Sequence, residues 1–204
     1  MTNMSRASSP VSGVSGQALK FDGADGKIDV THAASIDNLS AMTISAWVNA
    51  KSMGESSSGY IISKENNGDG GWLLTLYSTG LYFRVWYDDG TMAHSLQAYS
   101  AENTFTSADF NQWHHIIVTW DGTNLASGVK FYKDNILLSH YVGAETNGVN
   151  SRISDSTYNI NIGNNYWQSR TFDGSIDDVR VYSRALSSDE VGDLYRLGSF
   201  KITK

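Results

Sequence analysis

Apolar and polar residues alternate in short runs along most of this chain. The runs are QALKFD (17–22), KIDVT (27–31), MTISAWVN (42–49), YIISK (60–64), WLLTLYS (72–78), GLYFRVWY (80–87), HHIIVTW (114–120), VKFYKD (129–134), ILLSHYV (136–142), YNINIG (158–163) and SIDDVRVY (175–182). Each is five to eight residues long, and a period of two marks a half-buried strand. Gly, Ser, Asn and Asp fill the joints, and Thr79-Gly80, Asp121-Gly122 and Asp134-Asn135 read as hairpin turns. Many short strands with turn-rich joints predict a sandwich or barrel.

One segment breaks the period. Around 188–196, Val191, Leu194 and Tyr195 fall on one helical face. Ser187 and Glu190 make a capping box, Leu186 and Val191 a hydrophobic staple, and Gly198 a stop. Residues 1–16 are small and polar and read as a linker, with no apolar stretch that would make a signal peptide. No internal repeat emerges.

Composition narrows the function. The net charge is −6, and no basic stripe suggests nucleic acid. No apolar run is long enough to span a bilayer. The absence of cysteine rules out disulfides, thiol catalysis and cysteine-ligated zinc. Aromatic residues are frequent, at 12%.

Several fragments then point one way: LKFDGADGKIDV (19–30), MTISAWVNA (42–50), IISKE (61–65), NQWHHIIVTWDGT (111–123), VKFYKDN (129–135), INIGNN (160–165) and FDGSIDDVRVYSRALSSDEVGDLY (172–195). In this order, over roughly 17–198, they resemble the laminin-G-like, pentraxin-like domains of the concanavalin A-like lectin/glucanase superfamily. The resemblance implies an all-β fold: a jelly-roll sandwich of two antiparallel sheets with one short C-terminal helix, followed by a tail at 199–204. It also implies a bound calcium and carbohydrate recognition, in an extracellular or cell-surface setting and as one domain of a longer chain. The superfamily holds both binders and enzymes, so the fold leaves function open.

Two adjacent acids interrupt the strand SIDDVRVY. Strict alternation puts Asp177 on one face with Val179 and Val181, and Asp178 on the other with Ile176, Arg180 and Tyr182. A carboxylate on a core face needs a cation or several donors, and Asp178 can pair with Arg180. The resemblance places a calcium where the first FDG segment meets the last strand. Asp22, Asp25 and Asp177 would be its ligands, with Asp29 as an alternative to Asp25 and with carbonyls of the 23–26 turn. The alternative is that Asp22 and Asp177 simply accept backbone N–H groups.

Catalysis finds little support. Glycan hydrolysis needs paired carboxylates. The glucanase branch carries an E-x-D-x-x-E set, and none of Glu55, Glu65, Glu102, Glu145 and Glu190 lies in one. No G-x-S-x-G elbow exists. Of His32, His94, His114, His115 and His140, the adjacent pair 114–115 would face opposite sides of a strand.

Sugars are held by aromatic faces and a few fixed polar groups. Two places offer both. One is a pair of loops: Asn66, Asn67, Asp69 and Trp72 in NNGDGGW, and Asn164, Asn165, Tyr166, Trp167 and Gln168 in NNYWQS. Of these, Tyr166, Trp167, Trp72 and Asn165 are the first candidates for contact. The other is the outward face of LYFRVWY, where Tyr82, Arg84 and Trp86 would form a platform with Tyr77 from the neighbouring strand. The alternative for each is structural packing. Trp47, Trp113 and Trp120 read as core. The sequence therefore predicts a non-catalytic glycan-binding module, with a protein-adhesion domain or a surface spacer as rivals.

Overall fold

The computed structural model describes residues 9–66, 70–88 and 94–202. In chain order the strands are β1 (Ser9–Ser12), β2 (Gln17–Asp22), β3 (Ile28–Val30), β4 (Met42–Ala50), β5 (Tyr60–Lys64), β6 (Trp72–Tyr77), β7 (Gly80–Val85), β8 (Tyr87–Asp88) and β9 (Leu96–Tyr99). They continue as β10 (His114–Trp120), β11 (Val129–Lys133), β12 (Ile136–Leu137), β13 (Ser151–Arg152), β14 (Ile160–Ile162) and β15 (Asp173–Tyr182), before the helix α1 (Ser188–Ile202). A seven-stranded antiparallel sheet runs β1-β2-β15-β4-β10-β11-β12, and a six-stranded one runs β3-β14-β5-β6-β7-β9. This is the two-sheet sandwich predicted from the strand pattern.

The core lies between the sheets. Met42, Ile44, Ala46 and Val48 of β4 meet Trp72, Leu74 and Leu76 of β6 and Leu81, Phe83 and Val85 of β7 in one buried cluster. Alternate residues of each strand supply it, as the pleat requires. At one edge of the core an ion cluster is sealed in. The Lys64 ammonium is fully buried, 2.9 Å from Asp37 and 3.0 Å from Asp155, and Arg152 pairs with the other oxygen of Asp155.

Four local expectations change. The 9–12 segment, read as linker, pairs with β2 along Ser9↔Lys20 to Ser12↔Gln17. The first tight turn is Ser78-Thr79, because Tyr77 pairs with Gly80. Asp134-Asn135 does form the expected turn, with φ of 52° and 67°, whereas 121–128 is a longer connection between paired Trp120 and Val129. The helix runs through Gly198 to Ile202. Gly198 is there for close approach: a Cβ would lie 2.3 Å from Trp47 Nε1.

The outer faces of the two sheets differ. On the seven-stranded sheet, α1 lies across Trp47 and His115, with Trp47 stacked on His115 and Tyr195 at 4.9 and 5.8 Å. Trp47 is thus buried, but under the helix, and Trp113 is only half-buried. His115 also meets Ser45 Oγ at 2.8 Å, and burial lowers its pKa to about 4. At 1% and 3% exposure, this Ser–His pair is beyond reach of a substrate.

Candidate functional site

The outer face of the six-stranded sheet follows from its registers. Thr75 lies opposite Tyr82, Leu73 opposite Arg84, and Tyr82 and Arg84 opposite Tyr99 and Gln97. Further across, Asn161 of β14 pairs with Ser63 and with Asp29. Aromatic and planar polar groups therefore gather on one surface.

The row Tyr82–Arg84–Trp86 is packed rather than open. The guanidinium carbon of Arg84 lies 5.4 Å from the Tyr82 ring and 4.5 Å from the Trp86 ring. Tyr82 and Trp86 are 7% and 3% exposed, so neither offers a free face for a sugar to stack on. This corrects the platform expectation. The rings hold the cation, by cation–π attraction. Gln97 Oε1 accepts from the Tyr82 hydroxyl (3.1 Å), Arg84 (3.0 Å) and the Tyr99 hydroxyl (3.2 Å). Tyr77 does sit beside Tyr82, with ring centroids 5.7 Å apart.

Trp72 is corrected as well. It is fully buried in the core cluster, because it starts β6 on the inward face. Asn67 and Asp69 lie outside the described residues. Asn165 is 5% exposed and turned into its own loop, where Ser169 N–H donates to its Oδ1 at 2.9 Å and its Nδ2 donates to Ser169 Oγ at 3.2 Å. It braces the loop and does not face a ligand. Asn164 does the same from below, donating to Thr171 Oγ1 and accepting from Arg170 N–H.

On that braced loop Tyr166 and Trp167 remain 47% and 52% exposed. They meet edge to face, with centroids 5.9 Å apart. Tyr166 borders a cleft of about 160 Å³ lined by Asp29, Glu65, Asn66, Thr157, Tyr158, Asn159 and Asn161. Lys27 donates to Asn161 and lies 5.9 Å from the Tyr166 ring centroid. Glu65, 3% exposed, has its pKa raised by burial to about 7, against the pull of nearby Arg84. Sequence reasoning named Glu65 only among the possible acids. Its isolation comes from long-range packing, and no local motif announces it.

The aspartates take other work. A bulge between Asp177 and Arg180, with Asp178 at φ +48°, resets the alternation, so that Ile176, Val179 and Val181 all pack on the core. Asp177 is therefore not on the valine face. It accepts from Ser15 N–H and Asp178 N–H, both at 2.8 Å, tying the β1–β2 turn to β15. Asp178 grips Arg180 through two bonds. Asp22 lies opposite Asp173, whereas Ile176 is opposite Leu19. Asp22 and Asp177 are thus about four residues apart along the ladder, roughly 13 Å. Calcium ligands sit at about 2.3–2.6 Å from one ion, so Asp22, Asp25 and Asp177 do not fit a common calcium. Among the described residues no three His, Asp or Glu side chains cluster as a metal site.

A family model described as the concanavalin A-like lectin/glucanases superfamily, laminin-G type, matches residues 22–192. The chain belongs to this superfamily. No curated protein matches this laminin-G-like chain, but solved structures share its fold. The binding domain of Paraclostridial mosquitocidal protein 1 aligns at 17% identity and a TM-score of 0.67, over 95% of this chain and 46% of that one. Domain 4 of AbnA, an extracellular arabinanase of Geobacillus stearothermophilus solved with arabinotriose, aligns at 20% and 0.61, over 95% and 84%. The sialidase CBM40 of Ruminococcus gnavus, bound to α2,3-sialyllactose, aligns at 16% and 0.59, over 87% and 96%. The laminin-G-like chain spans less than half the length of the toxin binding domains it matches. Among its described residues no helix is long and apolar enough to cross a membrane.

Proposed function

We propose that this domain is a non-catalytic glycan-binding module of an extracellular protein, and that Tyr166 and Trp167 form its sugar-stacking contact. One observation carries the reading. Two large aromatic rings stay half-exposed on a loop that Asn164 and Asn165 hold rigid, next to a cleft rimmed by polar side chains. Leaving such rings in water without a partner is unfavourable. A loop fixed before binding loses little entropy when a ligand arrives. In this reading the rings cover the C–H face of a pyranose, and Asp29, Asn66 and Asn159 at the open rim of the cleft meet its hydroxyls. The neighbours with arabinotriose and sialyllactose bound support a glycan as ligand class.

The non-catalytic part rests on how the glutamates are used. Glu55 accepts from Thr171, Glu190 from Ser187 and Arg184, and Glu145 from His140. Glu65 and Glu102 line different cavities, so no two glutamates flank a single bond as glycoside hydrolysis requires. Asp29 shares the Glu65 cleft, but its carboxylate accepts from Asn159 and lies 3.7 Å from Lys27, so it is held as a structural acid. Calcium enters no step of this reading.

A glycan array probed with the wild-type domain and with Trp167→Ala tests it. On the scale of aromatic face contacts, about 0.5–1.5 kcal/mol, the substitution weakens binding about two- to tenfold and leaves the melting temperature unchanged. A domain that binds no glycan, or whose binding ignores both Trp167→Ala and Tyr166→Ala, defeats the proposal.

A further inference from the structure

A second cavity lies at the opposite corner of the same sheet. It measures about 190 Å³ and is lined by Tyr77, Ser78, Thr79, Gly80, Leu81, Tyr99, Ser100, Glu102, Tyr141 and Ala144. That is below the roughly 300–1,000 Å³ of sites that enclose drug-sized ligands, a size for one sugar ring rather than a chain. Tyr77 and Tyr141 are 45% and 44% exposed.

The walls are fixed in place. Tyr99 stacks on Tyr82 at 4.5 Å and meets Tyr77 at 5.9 Å. Its hydroxyl is held by Gln97 Oε1, and burial pushes its phenol pKa up, so it stays a neutral hydrogen-bonding group. Tyr141 is pinned to β9 by its N–H, which donates to Tyr99 O at 3.0 Å, while Ala101 N–H donates to Ser139 O at 2.7 Å. Ser100 Oγ, on the floor, accepts from Leu81 N–H and meets Thr104 Oγ1 at 2.7 Å. Glu102 is the one charged residue in the lining, and among the described residues its carboxylate has no partner.

We propose that the Tyr77–Tyr99–Tyr141 cavity is a second sugar-binding subsite, selective for a neutral hexopyranose. Phenol faces supply stacking, and Glu102 accepts from a pair of hydroxyls. A uronate or sialate would bring its own carboxylate beside Glu102 in a chain of net charge −6, with no lining cation to offset it, and is disfavoured. Tyr99 and Asn161 stand on strands four steps apart in the sheet, about 19 Å, so the two sites act separately. A polysaccharide that reaches both gains affinity by effective concentration, with no new contact. The proposal shares the glycan-binding reading of the module but not its Tyr166 site.

The test is NMR of the domain labelled with ¹³C in its tyrosine rings, titrated with lactose, cellotetraose, arabinotriose and α2,3-sialyllactose. The expected result is that a neutral sugar shifts Tyr77, Tyr99 and Tyr141 with one saturation curve and Tyr166 with another. Tyr141→Ala, at an exposed position, removes the first response and keeps the second. Sialyllactose binds the tyrosine trio no more tightly than lactose. A sugar that moves Tyr166 and leaves the trio unmoved overturns the subsite alone. Movement of the trio with Tyr166 silent supports the subsite and overturns the Tyr166 site. Silence of all four tyrosines toward all four sugars overturns both, and tighter sialyllactose binding at the trio overturns the neutral-sugar selectivity.

Discussion

Replacing Glu65 with glutamine should stabilise this domain, and only above a defined pH. Glu65 follows β5 and is almost wholly out of water. Burial raises its pKa from 4.5 to about 7. Between those values the folded chain keeps a proton that the unfolded chain has lost. The folded state then binds more protons, so stability falls as pH rises from about 4.5 to 7, and the loss is complete above 7. A shift of this size corresponds to about 3 kcal/mol, at 1.36 kcal/mol per unit. Glutamine keeps the shape and never ionises. The Glu65→Gln variant should match wild type near pH 4 and exceed it by about 3 kcal/mol at pH 8. For a domain of this size that is about 6–12 °C in melting temperature. Melting both proteins every half unit from pH 4 to 9 and taking the difference cancels groups common to the two, such as buried His115. A flat difference, or a variant less stable than wild type at pH 8, would refute the reasoning. Either result would mean that Arg84 or water pays the ionisation of Glu65 in full.

Two further predictions concern the scaffold. Lys64→Met strands the buried Asp155 opposite Arg152 alone. Removing one partner of a buried ion set costs about 3–5 kcal/mol, seen as a melting point lower by about 6–20 °C; a drop under about 1 kcal/mol would mean the cluster contributes little. Asp177→Ala frees the 13–16 turn from β15 and should cost about 1.5–3 kcal/mol, the scale of a hydrogen bond to a charged group. Adding calcium or EDTA should leave the wild-type melt where it is. A calcium-dependent gain in wild type that vanishes in Asp177→Ala would show that Asp177 is a ligand after all.

The sheets were legible in the sequence because alternation is local. LYFRVWY and WLLTLYS each assign their own inward and outward residues, and their short turn puts Tyr77 against Tyr82. Alternation says which way a side chain points but not what lies on top of it. Trp86 and Asn165 point away from the core and are still covered. Trp72 ends the loop NNGDGGW and begins the strand WLLTLYS; β6 starts at that residue, and the strand's alternation turns it inward with Leu74 and Leu76. The Asp177–Arg180 bulge breaks the period from within, and nothing in the letters SIDDVRVY marks the left-handed turn at Asp178. Leu96–Tyr99 is four residues long, too short to stand out, yet it brings in Gln97 and Tyr99. Gly198 has the letter of a helix stop and the role of a contact with Trp47.

The location of the candidate sites follows from an asymmetry between the sheets. Each sheet has one face in the core and must do something with the other. The seven-stranded sheet buries its outer apolar residues under α1, through Val191, Leu186 and Tyr195. Among the described residues α1 is the one α-helix, and the six-stranded sheet receives no counterpart from them. Its outer face carries Arg84, Gln97, Asn161 and Tyr99, groups that need polar partners as well as apolar ones. Tyr82, Arg84 and Trp86 satisfy one another in the middle of the sheet, and the unsatisfied surface is displaced to its two corners. There Tyr77 and Tyr141 on one side, and Tyr166 and Trp167 on the other, keep ring surface in water. A packed centre with open aromatic corners suits a ligand that is long, polar at its edges and apolar on its faces, which is the chemistry of a glycan chain.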